Sequence, residues 1–255
     1  MTPLTLDLNA DLGESDGPTL PESDRALLNL VTSASVACGA HAGNEGIMAA
    51  TVALAAKNGV TVGAHPGYAD RDGFGRRELG LPAEEISGLV LAQVKTLRRI
   101  CHAERVSLRY VKPHGALYNR AVRDAAAAEA IVRAMVDAGG ELVLLGLPGS
   151  RMLEAGAAAG LATAREAFID RGYRPDGTLV PRGEPGALLD NPAIAADRAV
   201  RMALEEEVEA ADGTSLRMQA DSFCVHGDGA GAVALLAEVR RRLLAAGVHL
   251  APFAR

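Results

Sequence analysis

Cysteine is scarce in this chain of 255 residues: Cys38, Cys101 and Cys224 are odd in number, widely separated, and form no CxxC pair. Neither a disulfide framework nor a zinc knuckle is expected, and a reducing cytoplasm is the expected compartment. Positive charge is also short, with 26 Lys and Arg against 32 Asp and Glu for a formal net charge of −6, so a nucleic-acid partner is not expected. No apolar run approaches the roughly 18 residues of a membrane span, because stretches such as Leu142 to Leu147 are short and stop at Pro or Gly. The N-terminal stretch turns acidic at Asp7, Asp11 and Glu14, without the basic and apolar regions of an export signal, so neither export nor membrane association is expected. Also missing are GxxxxGK[ST], GxSxG and HExxH, which argues against a P-loop, a nucleophile elbow and a zincin.

What is present is a globular mixture, 49% hydrophobic and 23% charged, sufficient for a packed core. Seven short β-type runs recur, at Leu4 to Asn9, Ser33 to Cys38, Val60 to His65, Leu108 to Pro113, Glu141 to Gly146, Thr163 to Phe168 and Phe223 to His226. Most are followed by helical pattern. Pro82 opens one helix with Ile86, Leu89, Val90, Val94 and Leu97 on one face, and Asn44 opens another that stops at Gly59. Asp124 caps a third, with Ile131, Val132, Met135 and Val136 read as its inward residues, and Val233, Leu236, Val239 and Leu243 form the stripe of a last one. Its Arg240, Arg241 and Arg242 read as a solvated face favourable to the helix dipole.

Alternating strands and helices imply parallel strands, in an open doubly wound sheet or a closed barrel. An open sheet gathers its ligand groups at one switch point, whereas a barrel draws them from many strand ends. Here polar residues stand at six of the seven strand ends, all but Gly146-Leu147-Pro148-Gly149, so one closed (β/α) barrel over residues 1–255 is expected. The irregular stretch from Arg171 to Asn191 is too long for an ordinary connection and reads as a loop over the barrel mouth.

The chemistry follows the strand ends. Asn9 and Asp11 share a strand face, and Asp11 and Glu14 belong either to a wet mouth or to metal and proton chemistry, since carboxylates cannot enter a dry core without partners. His41 and His65 each sit in a turn of small residues just beyond a strand, where imidazole can serve as acid, base or ligand. Lys112, on an apolar strand, needs a polar partner, and a mouth that binds an anion would supply one. Arg76 and Arg77 offer paired guanidinium groups in a glycine-rich loop suited to carboxylate or phosphate. Glu166, Asp170 and Arg171 cluster at one strand end, either as a self-neutralising group or as part of a site. His226-Gly227-Asp228-Gly229 runs into a helix and offers N–H donors to phosphate, although no strand follows to make a dinucleotide fold. Cys38 is expected to be a buried thiol.

Taken together, the blocks DLNADLGES, SASVACGAHAGN, VGAHPGYADRDGFGRR, VKPHGALYN, REAFIDRGYRPDGTLVPR and CVHGDG closely resemble the LamB/YcsF family, in order, from Leu4 to about Ala246. The resemblance implies a seven-stranded (β/α) barrel like those of the glycoside hydrolase/deacetylase superfamily. It also implies ATP-dependent opening of 5-oxo-L-proline to L-glutamate by a 5-oxoprolinase, jointly with two other subunits, B and C. Under that reading Asp11, Glu14, His41, His65, Lys112 and His114 are the catalytic candidates, with the histidines moving protons and Lys112 and Arg76 or Arg77 holding phosphate or the substrate carboxylate. Asn9, Tyr118, Glu166, Asp170, Arg171, His226, Gly227, Asp228 and Gly229 join the arginines in binding substrate or ATP. Asp11 and Glu14, with His226 and Asp228, could hold a divalent ion, magnesium by expectation. The alternative is a metal-dependent amide or carbohydrate deacetylase that uses Asp11, His41 and His65 and needs no ATP. A third reading is a noncatalytic protein that only binds substrate or partners.

Overall fold

A strand inside a covered barrel is buried on both faces, one against the helices and one in the interior, and β1 shows what this demands of a sequence. The computed structural model describes residues 4–227, 229 and 231–254. In β1 (Thr5–Leu12) every residue after the first is buried, with apolar Leu6, Leu8, Ala10 and Leu12 alternating with polar Asp7, Asn9 and Asp11. It continues past the expected end at Asn9, because Ala10, Asp11 and Leu12 pair with Ala34, Ser35 and Val36 of β2 (Ser33–Ala37).

The ring then passes through β3 (Thr61–His65), β4 (Leu108–Val111), β5 (Val143–Gly146) and β6 (Thr163–Phe168), each parallel to the one before. Two elements unforeseen in the sequence follow, an antiparallel hairpin of β7 (Glu207–Glu209) and β8 (Ser215–Arg217). β9 (Ser222–Val225) pairs with both β6 and β1 and closes a barrel of seven parallel strands. A short β10 (His249–Leu250), also unforeseen, adds to β1 beside that ring.

Helices α1 (Glu22–Leu27), α2 (Glu45–Asn58), α3 (Ala83–Ala103), α4 (Gly115–Arg123), α5 (Ala125–Ala138), α6 (Arg151–Ala158), α7 (Pro192–Glu205) and α8 (Ala232–Ala245) surround it. Local chemistry sets several boundaries. The Asn44 side chain accepts from Ile47 N at the start of α2, Gly59 ends it at φ 70°, and Asp124 accepts from Ala126 N and Ala127 N to start α5. One inward assignment fails: Val136 is exposed, because α5 buries the face through Ala127, Ala128, Ile131, Ala134 and Met135, and the next residue turns about 100° away.

The polar residues of β1 form a hydrogen-bonded column up the barrel interior. At its lower end the buried Asp7 carboxylate accepts from Thr32 Oγ1 at 2.5 Å, Ser33 Oγ at 2.6 Å and Ser222 Oγ. Burial nevertheless pushes its pKa up to about 6, the hydroxyl donors only partly opposing this. An acid whose folded pKa is raised contributes stability that is complete below its unfolded pKa of about 4 and is lost as the pH climbs through about 6. Asp7→Asn, neutral at every pH, is therefore expected to remove that decline. Relative to its own value at pH 4, the variant should retain up to about 3 kcal/mol more stability at pH 7.5 than the parent, measured by urea unfolding at both pH values.

Candidate active site

Closure of the ring brings the sequence's candidates to one rim. Asp11 and His65 arrive on β1 and β3, Lys112 and His114 follow β4, Glu166 lies on β6, and His226 follows β9. A cavity of about 320 Å³ opens there, lined by Asp11, His65, Lys112, His114, Tyr118 and His226 among others.

Beneath it Lys112 is 1% exposed. Its ammonium donates to Asn9 Oδ1 at 3.0 Å and Glu166 Oε1 at 2.9 Å, lies 2.6 Å from Asp11 Oδ1, and is 3.2 Å from Cys224 Sγ. Burial, the largest single influence, would lower the lysine pKa, but Asp11, Cys224 and Glu166 together outweigh it and the group is held well above its ordinary value. Asp11 is the converse: burial would raise its carboxyl, yet His65 and Lys112 hold it well below the usual range. Asn9 donates from Nδ2 to Glu166 and to Ser222 Oγ, which joins this layer to Asp7 below. Lys112 is thus saturated by the barrel itself, so the expectation that it holds a substrate anion gives way to a role in fixing Asp11 and Glu166.

Above that layer three buried imidazoles meet. His65 Nδ1 lies 2.7 Å from the Lys112 carbonyl oxygen, and His114 Nε2 lies 2.8 Å from that of Phe74. A carbonyl can only accept, so each of those nitrogens carries the proton and the opposite nitrogen of each neutral ring is a lone pair. Those two, His65 Nε2 and His114 Nδ1, face each other at 3.0 Å. Two lone pairs cannot share that distance unless a proton or a cation lies between them. His41 stacks on His114 with centroids 3.8 Å apart, and Gly67 and Gly75 make room, since a Cβ on either would come within 2.9 Å of a histidine atom. Burial, then the neighbouring His65, pushes His41 down to about 3. Burial, then His41 and His65, also holds His114 well below its ordinary value. Both rings are neutral at physiological pH.

Carboxylates complete the group. Asp11 Oδ2 is 3.3 Å from His65 Nε2, and Glu14 Oε1 is 3.3 Å from both His41 Nε2 and His114 Nδ1. Donors bound at about 2.0–2.1 Å to one ion stand roughly 3.0–3.4 Å apart in octahedral or tetrahedral arrangement, which is the spacing here. Asp11, His65 and His114 thus fit a divalent ion, as do Glu14, His41 and His114. Imidazole nitrogen favours a transition ion such as zinc or manganese over magnesium, which prefers oxygen.

The other candidates divide. Arg76 lines the cavity, its guanidinium 4.7 Å from the Phe74 ring centroid, and Arg171 and Tyr118 line it too. Arg77 turns away: it is largely exposed and pairs with Asp70. His226 belongs to neither donor group found among the described residues; Asp170 accepts from its backbone N at 3.0 Å and lies 2.9 Å from its Nδ1. That bond also takes one of the amides expected to face phosphate. Gly227 is required for packing, as a Cβ would lie 2.4 Å from the Asp11 carbonyl, and Gly229 is exposed. Asp228 lies outside the described residues. Cys38 is buried, with its thiol raised to about 12 by burial. Unforeseen at the site are Cys224, Phe168 stacked on His226 at 5.3 Å, and Arg182 on the cavity wall. All three lie inside sequence blocks that carry the family resemblance, but nothing in their residue type or spacing singles them out.

A curated relative from Methylococcus capsulatus, named as the A subunit of 5-oxoprolinase, is 51% identical over 247 residues, covering 97% of this chain and 95% of its own. The crystal structure of a lactam utilization protein from Thermus thermophilus matches with a TM-score of 0.91 at 44% identity, over 98% of this chain and 100% of that one. The catalytic domain of a peptidoglycan N-acetylglucosamine deacetylase from Eubacterium rectale matches 98% of this chain and 89% of its own at a TM-score of 0.52 and 10% identity, a likeness of fold alone. The family model for LamB/YcsF matches residues 6–255, a span that holds every group just described, and the chain belongs to the LamB/YcsF family.

Proposed function

We propose that this chain is the A component of an ATP-dependent 5-oxoprolinase, which with subunits B and C in the cytoplasm opens the ring of 5-oxo-L-proline to give L-glutamate. The observation that carries the reading is the buried group of three imidazoles and two carboxylates at the floor of a small cavity, in a chain 51% identical to a relative of that name. The relatives' name, which designates one component of several, supports an assembly.

A five-membered lactam is a resonance-stabilised amide whose ring closure is favoured by entropy, so water alone opens it poorly. ATP supplies the driving force: transfer of its terminal phosphoryl group to the amide oxygen activates the ring carbon. Water then adds at that carbon and the carbon–nitrogen bond breaks to leave the side-chain acyl phosphate of glutamate, which a second water hydrolyses, so that 5-oxoproline, ATP and two waters give glutamate, ADP and phosphate. Without an ion, the facing His65 Nε2 and His114 Nδ1 are placed to pass a proton from the attacking water to the departing ring nitrogen. Glu14, against His41 and His114, orients that pair, and Lys112 helps hold Asp11 ionised and fixes Glu166 in place in the dry interior. A divalent ion on Asp11, His65 and His114 would occupy those two lone pairs and would supply Lewis-acid polarisation of the substrate oxygen in place of that proton transfer.

The test measures 5-oxoproline-dependent release of ADP, phosphate and glutamate by the purified chain alone, with subunits B and C, and after chelation. Coupled release only in the full assembly, lost on chelation, is the expected result. Amide cleavage by the isolated chain without ATP would replace this reading with the deacetylase one.

A further inference from the structure

Asp170 and His226 meet at the cavity from two paired strands. Asp170 follows β6, His226 follows β9, and the His226 ring forms part of the cavity lining. We propose that His226, positioned by Asp170, carries the proton from the attacking water to the departing ring nitrogen. The proposal rests on the 5-oxoprolinase reading and assigns the proton transfer of that site when an ion occupies Asp11, His65 and His114.

The first support is the tautomer. His226 Nδ1 lies 2.9 Å from Asp170 Oδ2 and 3.1 Å from Oδ1, and the His226 backbone N donates to Oδ2 at 3.0 Å. Burial would raise the Asp170 carboxyl, but His226 and, behind it, Arg171 hold it below its ordinary value. An ionised carboxylate only accepts, so Nδ1 carries the proton and Nε2 of the neutral ring is a lone pair. A base oriented in this way by a carboxylate is a recurring arrangement in hydrolytic sites.

The second support is the fixed position of the ring. Phe168 stacks on it with centroids 5.3 Å apart and planes 19° from parallel, and Tyr118 meets Phe168 edge-on at 5.7 Å. The next residue, Gly227, presses so closely on the end of β1 that a Cβ would lie 2.4 Å from the Asp11 carbonyl oxygen. Burial raises the Asp11 carboxyl while His65, Lys112 and then His226 lower it, which places the His226 ring within electrostatic reach of the ion-binding donors.

The third support is elimination among the imidazoles of the site. An ion on Asp11, His65 and His114 takes the lone pairs of His65 Nε2 and His114 Nδ1. Burial, then His65, keeps His41 down at about 3, too weak a base to hold a proton near neutrality. His226 belongs to neither donor group, and its side chain keeps 14% of its surface exposed.

The chemistry makes this proton decisive. Water adding to the phosphorylated lactam gives one proton to Nε2, and the ring carbon then holds hydroxyl, phosphate and nitrogen together. Phosphate leaves such a carbon readily, whereas the nitrogen leaves only when protonated. Nε2 returns its proton to the nitrogen, and the carbon–nitrogen bond breaks with its electron pair going to nitrogen. The hydroxyl proton follows as the carbonyl forms, giving the acyl phosphate and an ammonium group. Without the transfer the adduct expels phosphate instead, so ATP is hydrolysed and 5-oxoproline is regenerated.

The experiment measures ADP and glutamate release side by side in the full assembly, below the melting temperature of each variant. His226→Gln and Asp170→Asn carry the test, and Arg241→Gln on α8 is the control. Parent and control should release one ADP per glutamate. Both site variants should lower glutamate release about 10²-fold and raise ADP per glutamate at least about 10-fold. NMR spectra of the nitrogen-labelled imidazoles, assigned with His226→Gln, should show His226 protonated on Nδ1 in the parent and partly on Nε2 in Asp170→Asn. Losses of ADP and glutamate in equal proportion, unchanged release, or a neutral parent ring protonated on Nε2 overturns the proposal and leaves the 5-oxoprolinase reading standing. A parent assembly that releases no glutamate removes that reading and this proton transfer together.

Discussion

Lys112→Met is expected to cost about 3–5 kcal/mol of stability and to abolish measurable turnover in the assembled enzyme. The substitution keeps much of the side-chain volume but removes the one charge that Asp11, Glu166 and Asn9 share in a fully buried layer. Breaking one partner of a buried ionic group leaves the others desolvated and unmatched, which costs more than the group contributed as a whole. The pH dependence separates this cause from simple loss of packing. In the parent, Asp11 is depressed well below the usual range, so its contribution is present above its unfolded pKa of about 4 and disappears only as the pH falls through the depressed value. Without the lysine, burial at Asp11 is opposed only by the neighbouring histidines, so ionising that carboxyl is less favourable to folding than in the parent. The stability gap between parent and variant should therefore widen from pH 5 to pH 8 in urea unfolding. Adding Glu166→Gln should recover part of the lost stability at pH 8 and none of the activity. A gap that is constant across that range would show that only packing had been lost.

This lysine also shows how far the sequence could be read. A charge ending an apolar strand, in Tyr110-Val111-Lys112, announces a buried polar partner, and polar residues at six strand ends announce a closed ring. Helix starts at Asn44 and Asp124 were legible because a cap is chemistry confined to three or four neighbouring residues. What could not be read depends on residues far apart in the chain. The hydroxyls that make Asp7 tolerable come from Thr32, Ser33 and Ser222, and the partners that occupy Lys112 come from β1, β6 and β9. Arg76 and Arg77 look equivalent as a pair of letters, but consecutive side chains on this loop diverge, one into the cavity and one out to Asp70. The tautomers of His65 and His114 depend on two carbonyl groups that only the folded loops bring within reach.

His114→Ala is expected to lower turnover about 10²–10⁴-fold, and also to strip the chain of a bound divalent ion. A single shared proton would satisfy only the facing nitrogens of His65 and His114, whereas one divalent ion satisfies both lone pairs together with the Asp11 oxygen 3.3 Å from His65 Nε2. The parent chain, purified without chelator, should therefore carry close to one equivalent of a transition ion by elemental analysis. Its melting temperature should fall on chelation and return when zinc or manganese is restored. His114→Ala removes a nitrogen common to both donor sets, together with the ring on which His41 stacks, so its metal content should fall to background and chelation should no longer move its melting temperature. His41→Ala, which removes a donor from only one of the two sets, should weaken the ion less. If the parent holds no ion and its melting temperature and turnover ignore chelation, the two histidines share a proton instead. In that case His114→Ala should still lose turnover, but chelator and added metal would leave every variant unchanged.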